Sequence, residues 1–252
     1  MMNSPMFSCV IPVKGPRPYF DEAVASLQNQ GLGEELEVII QDADVEPDAG
    51  QSDALNKGFA KAKGEWLFWL NADDVLLSGA LEKVLDRINR INRIDWIAGN
   101  VIYMDKEGQA KWCAWDRGWK LSYVGLPVQV YGPSSFFRRE LFEKSGGFDG
   151  SLNYVMDIDL WCKFRKMGFW YKKIPDFIWG FRLHEGSKTS SAQQGDWTQA
   201  QAAEQELVNA RYGLNHVWMA SKFAQLSRLV NGSYAKAWME TRKRKGIRCI
   251  KP

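Results

Sequence analysis

The sequence predicts an α/β fold, a single domain with a mostly parallel central sheet flanked by helices, plus a C-terminal helical extension. Three observations carry that prediction. Short β-rich apolar runs alternate with stretches of helical periodicity through the N-terminal third. Each run ends in a polar, breaker-rich loop. At 252 residues and 45% hydrophobic content, the chain is long enough to bury one large core.

The first predicted strand is FSCVIPV, closed by Pro12 and the loop KGPRP. A helix follows in PYFDEAVASLQNQG, where Phe20, Val24 and Leu27 share a face, acids occupy the first turn and Gly31 stops it. LEVIIQD is the second strand, ending on Asp42. QSDALNKGFAKAKG places Leu55, Phe59 and Ala62 on one stripe, with Gly64 as the expected C-terminal cap. EWLFWL is a third strand, apolar on both faces, and Ser78 is the expected N-cap of a helix carrying Leu81, Val84, Leu85 and Ile88. In the second half, WIAGNVIYM and QAKWCAW flank the turn DKEG as a hairpin expected at the sheet's edge. GPSSFFRRELFEKSGGF reads as a loop, a short helix and a Gly-Gly break. DIDLWCKFRKMG is a helix with Leu160, Phe164 and Met167 on one side, and 197–211 and 215–244 read as helical. The expected division is 1–190 for the main domain and 191–252 for the extension.

Composition narrows the function. Thirty-three basic against thirty acidic residues give a net charge of +3, too balanced for a nucleic-acid footprint. Four dispersed cysteines suggest neither a zinc knuckle nor a disulfide framework, which fits a reducing, cytoplasmic setting. No run of eighteen apolar residues is present, so the expectation is a protein that is soluble or lies on the inner face of a membrane without spanning it. The basic, aromatic tail 215–248 fits two readings: a helix on an anionic membrane surface, or one packed on the domain or on a second copy of the chain.

In open sheets of this kind ligands bind beyond the carboxyl ends of the strands. The loops KGPRP, DADVEPD and NADD converge there. In an extended segment Asn71 and Asp73 point one way and Asp74 the other. One carboxylate is too little for a protein-only cage, but Mg2+ or Mn2+ shared with a substrate's phosphates needs no more, so the implied ligand is a diphosphate.

The ordered motifs FSCVIPV, EVIIQD, GQSDALNKGF, GEWLFWLNADDVL, PSSFFRRELFEKSGGFD, YVMDIDLW and FRLHEGSKT resemble those of the family 2 glycosyltransferases over 7–190. The resemblance implies the nucleotide-sugar-binding GT-A fold and transfer, with inversion, of a sugar from a UDP-, GDP- or dTDP-linked donor to a glycan or lipid-linked acceptor, as in assembly of a bacterial surface polysaccharide. By position it implies that Asp42 bonds the nucleotide base. Pro12, Val13 and Lys14 would line the base and ribose pocket, and Asp53, Asn56 and Asn71 would lie near the nucleotide. Asp73 would be the leading metal ligand for Mn2+ or Mg2+, with Asp74 and His184 beside it. Asp157 would be the catalytic base, and the loop Gly132, Pro133, Ser134 would pass between donor and acceptor. Arg138 and Arg139 would either aid the diphosphate or solvate a helix, and Trp115, Trp119 and Tyr123 would stack on the acceptor. The chain departs from the family pattern at Asn71, where an Asp is frequent, and at Met156, where a Glu is. Those departures leave a non-catalytic nucleotide-sugar-binding module open, and paired carboxylates alone would also suit a glycoside hydrolase.

Overall fold

The computed structural model describes residues 4–115, 130–187, 199–214, 222, 225–226 and 228–249. Its strands are β1 (Phe7–Val13), β2 (Leu36–Asp42), β3 (Trp66–Trp69), β4 (Val75–Leu76), β5 (Trp96–Met104), β6 (Ala110–Ala114), β7 (Ser135–Arg138) and β8 (Lys172–Arg182). The helices are α1 (Phe20–Gln28), α2 (Gln51–Lys61), α3 (Ala80–Arg90), α4 (Arg139–Ser145), α5 (Met156–Lys166), α6 (Gln199–Tyr212) and α7 (Ser233–Arg244).

The α/β architecture matches the prediction. The strands run β2-β1-β3-β7-β5-β8-β4, with β6 on β5. β1 pairs in parallel with β2 and β3, as the alternating strand and helix pattern requires. The sheet as a whole is mixed, because β7 pairs antiparallel with both β3 and β5. SFFR therefore enters the centre of the sheet, where the sequence suggested loop and helix. At four residues it is too short to show a period, and Arg138 and Arg139 directly after it hid its apolar character. β8, with Pro175 inside it, pairs in parallel with β5 across a register shift.

One apolar layer joins α2, α4 and α5 to one face through Leu55, Phe59, Leu141, Leu160 and Phe164. The other joins α1 and α3 through Ala23, Leu27, Leu81 and Val84. β3 is buried on both faces, Trp66 to one layer and Trp69 to the other, which is why its sequence lacks alternation. Two predicted caps are replaced. Gly79, in a left-handed conformation, precedes α3 in place of Ser78. Gly64 does not cap α2: a Cβ there would lie 2.5 Å from the Ser8 nitrogen, so its role is close approach to β1.

The C-terminal segments are built into the domain. Val208 of α6 is fully buried in the first layer, and α7 packs on β6. The Thr241 hydroxyl accepts the Cys113 N–H at 2.8 Å, and the Ala110 N–H donates to the Ile247 carbonyl. Among the described residues no helix is long and apolar enough to cross a membrane.

Candidate functional site

Two cavities open at the carboxyl ends of the N-terminal strands and share a wall made of Gln51, Asn71, Asn153 and Phe181. The first, about 610 Å³, is bounded by Pro12, Val13, Lys14, Arg17, Asp73 and His184. The second, about 500 Å³, holds Asp157 among aromatic rings. Both are of a size that suits small-molecule ligands.

In the first cavity the NADD turn sorts its carboxylates. Asp73 Oδ2 lies 2.9 Å from His184 Nε2, and both side chains line the cavity. Asp74 points inward, as the extended-chain argument predicts, and is fully buried. Its Oδ1 accepts the Arg182 backbone N–H at 2.9 Å and its Oδ2 accepts an Asn71 amide hydrogen at 2.8 Å. Burial, then the neighbouring Asp73 charge, pushes its pKa well above the usual carboxylate range. Asp74 is therefore corrected from ligand to structural anchor: it has no surface to offer a cation. The same contact accounts for Asn71. An Asp there would set a second carboxylate against buried Asp74, whereas the amide donates to Asp74 and accepts from Gln51 Nε2 at 2.9 Å.

A divalent cation fits the pair that remains. A carboxylate and an imidazole on one cavity wall suit Mn2+ or Mg2+ when the other positions fall to diphosphate oxygens and water. Among the described residues no group of three or more His, Cys, Asp or Glu could hold a metal unaided. The turn is braced by Arg182, which sequence reading passed over although it stands two residues before His184. Fully buried, it donates from Nε to the Asp73 carbonyl at 2.8 Å and from Nη2 to Glu22 at 2.6 Å, and it stacks on Tyr19.

The other predicted nucleotide contacts separate. Asp42 is covered by Arg17, whose Nη1 donates to its Oδ2 at 2.6 Å, and that bond holds the carboxyl below its usual range. Arg17 lines the cavity and Asp42 lies behind it. Asp53 accepts the Ala49 N–H and pairs with Lys57 at 2.9 Å. Asn56 exchanges two hydrogen bonds with the Phe148 backbone. Neither lines a cavity, so both shape the walls around α2 and are corrected from ligand contacts to loop supports. Arg138 and Arg139 engage Glu65 and the Gly64 carbonyl, at the amino end of β3 and away from both cavities.

In the second cavity Asp157 occupies the first turn of α5. It does not cap the helix: Val155 is the N-cap, and Asp157 Oδ1 accepts the Ile158 N–H at 2.8 Å. Burial is the dominant influence and lifts its pKa to about 6, against the smaller lowering by backbone N–H groups. Gly132 and Pro133 line this cavity, while Ser134 is buried and bonds the Tyr131 carbonyl. Gly132 must be glycine for fit, since a Cβ would lie 2.5 Å from Trp69 Cζ2 and 3.4 Å from Asp157 Oδ2. The aromatic walls are Trp69, Tyr103, Tyr131, Tyr154, Trp179 and Phe181. Trp115 is elsewhere, donating to the Pro175 carbonyl, and Trp119 and Tyr123 lie outside the described residues. Met156, the second departure, is buried with its sulfur 3.1 Å from the Ser52 hydroxyl.

Comparison with known proteins bears on the family and the fold. The family model for Glycosyl transferase family 2 matches residues 45–146. An uncharacterized glycosyltransferase of Rickettsia prowazekii (strain Madrid E) is 28% identical over 215 residues, covering 75% of this chain and 67% of that protein. A PGL/p-HBAD biosynthesis glycosyltransferase of Mycobacterium bovis (strain BCG / Pasteur 1173P2) is 25% identical over 182 residues, covering 63% and 69%. The fold is shared with Staphylococcus aureus TarS 1-349 in complex with UDP-GlcNAc, at a TM-score of 0.61 and 15% identity over 86% of this chain and 70% of that one. It is shared too with the mannosyltransferase PcManGT of Pyrobaculum calidifontis in complex with GDP-Man and Mn2+, at 0.54 and 17% over 93% and 76%.

Proposed function

We propose that this chain, a family 2 glycosyltransferase, moves a sugar from a nucleoside diphosphate to an acceptor hydroxyl with inversion at the anomeric carbon. The observation that carries the proposal is the shared wall between the two cavities: Asp73 and His184 stand on one side of Asn71, Gln51 and Asn153, and Asp157 on the other. The donor's diphosphate would lie in the first cavity and the acceptor in the second, with the transferred ring across the wall. The bound nucleotide sugars of the two structural neighbours support a donor of the UDP-, GDP- or dTDP-linked class.

In this reading the Asp157 carboxylate takes the proton of the acceptor hydroxyl as its oxygen bonds the anomeric carbon and the bond to the diphosphate breaks. A pKa of about 6 leaves Asp157 ionised at neutral pH and more basic than an ordinary Asp. Pro12, Val13 and Lys14 hold the nucleoside, and Arg17 rather than Asp42 faces it. When a divalent cation is bound by Asp73 and His184, it supplies neutralisation of charge on the leaving diphosphate. The aromatic rings around Asp157 suit an acceptor with flat apolar faces, such as a pyranose of a glycan or of a lipid-linked sugar.

The deciding experiment is a nucleotide-sugar panel screened by thermal shift with and without Mn2+, followed by transfer assays on the donor that binds. A donor that stabilises only with the cation, and whose product has inverted stereochemistry, supports the reading. Stabilisation indifferent to Mn2+, or a retained configuration, would overturn it. Tight donor binding with no transfer to any acceptor would leave a binding module.

A surface contact with membrane is part of the proposal. Leu226, Leu229, Val230, Tyr234, Trp238 and Met239 are exposed in the same C-terminal stretch as exposed Arg242, Lys243 and Lys245. Such a stretch suits an anionic bilayer carrying a lipid-linked acceptor. Flotation with anionic liposomes that is lost in Trp238→Ser/Leu229→Ser supports it, and equal flotation of the two proteins removes it.

A further inference from the structure

The wall that carries Asp157 is held by a residue from far along the chain. Residues 153–155 precede α5 and donate three successive backbone N–H groups to the single carboxylate of Glu204 on α6. The distances are 3.0 Å from Asn153 to each oxygen, 2.8 Å from Tyr154 and 3.3 Å from Val155. Val155, the helix N-cap, has no side-chain capping bond, so these donors have no local acceptor of that kind. On the other side of the same loop, the Ser52 hydroxyl donates to the Leu152 carbonyl at 2.6 Å. The loop is thus clamped between α2 and α6. Asn153 and Tyr154 line the second cavity, and Asp157 follows two residues after the last clamped N–H.

We infer that Glu204 is the positioning residue for the base, setting the start of α5 and with it the direction of the Asp157 carboxylate. The inference rests on the reading of Asp157 as base. Three bonds to one ionised acceptor form a strong and directional fastening, because charge-assisted bonds are about twice as strong as neutral ones. Satisfying three backbone donors stabilises the loop, but it does not by itself require that the acceptor come from α6. α6 is already anchored by buried Val208 and by Arg211, which reaches Asp149 at 2.8 Å and fully buried Asp159 at 2.7 Å. Glu204, by contrast, engages the backbone of a cavity wall. A wall displaced by an ångström costs catalysis far more than it costs folding.

The test is Glu204→Gln in the full chain, with Val208→Ala as a control that loosens the packing of α6 while leaving the Glu204 carboxylate in place. All three N–H groups converge on Oε2, and Asn153 also reaches Oε1; with the amide oxygen in the Oε2 place, the amide NH2 stands against the Asn153 N–H and the charge on the acceptor is lost, so the fastening weakens. We expect kcat to fall roughly 10- to 100-fold, with donor Kd unchanged. The acid limb of the kcat profile should move from near pH 6 toward the ordinary carboxylate range as Asp157 gains water. Glu204→Asp, still charged, should recover part of the rate, and it carries the test if the Gln variant does not fold. Adding Glu204→Gln to Asp157→Asn should cost nothing further. A Glu204→Gln enzyme with wild-type kcat, or a Val208→Ala enzyme with the same loss and the same shifted profile, overturns the inference. If Asp157→Asn itself keeps wild-type kcat, the reading of the base fails instead. An inactive Asp157→Asn beside an unaffected Glu204→Gln sinks the positioning role alone.

Discussion

The carboxylates around the two cavities meet different surroundings. Beside the first, Asp42 is drawn below its usual pKa by the Arg17 guanidinium. In the second, Asp157 is raised to about 6 by burial among aromatic rings, with only backbone N–H groups to counter it. The first side is built from consecutive strand ends and braced by Arg182, Gln51 and Asn71, with Asp74 buried beneath it and raised in pKa by burial and by Asp73. The second is a place where a proton can move near neutral pH. It is assembled from segments as distant as Trp69, Gly132, Asp157, Trp179 and Gln201. Under the proposed function, charge stabilisation and proton transfer would each have its own environment.

The strongest way to break that comparison is Asp157→Asn. Transfer should fall roughly a thousandfold, within the usual range for a general base, while donor affinity by calorimetry stays at the wild-type value. Loss of donor binding together with transfer would mean that the two sides are not separate. On the other side, Asp73→Ala should weaken cation-dependent donor binding by roughly 10- to 100-fold, read as the difference between titrations with Mn2+ and with EDTA. An unchanged difference would remove Asp73 from the ligand set.

Gly132→Ala sharpens the boundary between the two. A methyl group 2.5 Å from the Trp69 ring must displace the ring or the loop, at about 1–3 kcal/mol by overpacking. The melting temperature should drop and transfer should slow with donor affinity intact. An enzyme with wild-type rate and stability would show that the Gly132 loop yields freely. The smallest effect is on pH. kcat/KM should rise with pH to a plateau above an apparent pKa near 6. A carboxyl raised from its usual 3.8 to about 6 contributes stability that is full below 3.8 and lost as pH rises through 6. Asp157→Asn should accordingly melt later than wild type at pH 7.5, by roughly 2–4 °C per kcal/mol recovered, and the gain should vanish at pH 4. A gain independent of pH would point to packing instead.

Much of the first cavity was legible because its residues sit where local pattern is informative. Asp73 follows an apolar run, Pro12 and His184 were pointed to by the family resemblance, and all three line one cavity. The inward turn of Asp74 followed from the two-residue period of an extended chain, yet its removal from the ligand set needed the Arg182 N–H from a strand more than a hundred residues away. Arg17 over Asp42 was not readable either, since nothing local says that a loop side chain will close on a strand end. The second cavity was readable mainly at Asp157. Its aromatic walls come from strands that sequence treated as scaffold, and β7 was missed because four residues cannot show a period. Glu204 stands in a helix assigned to an appendage, and the packing of Val208 and the ion pairs of Arg211 bring that helix against the domain.

By itself the sequence determined the α/β class, the order of the N-terminal strands and helices, and the loops from which a site must be drawn. Those follow from hydrophobic period and from glycine and proline, which act over a few residues. Tertiary structure alone decided which partners the carboxylates of NADD find, how far burial raises Asp157, and that α6 packs against the wall beside it. Burial, pKa and hydrogen-bond partnership depend on every segment that surrounds a group, and the neighbours of a side chain in space are mostly strangers to it in sequence.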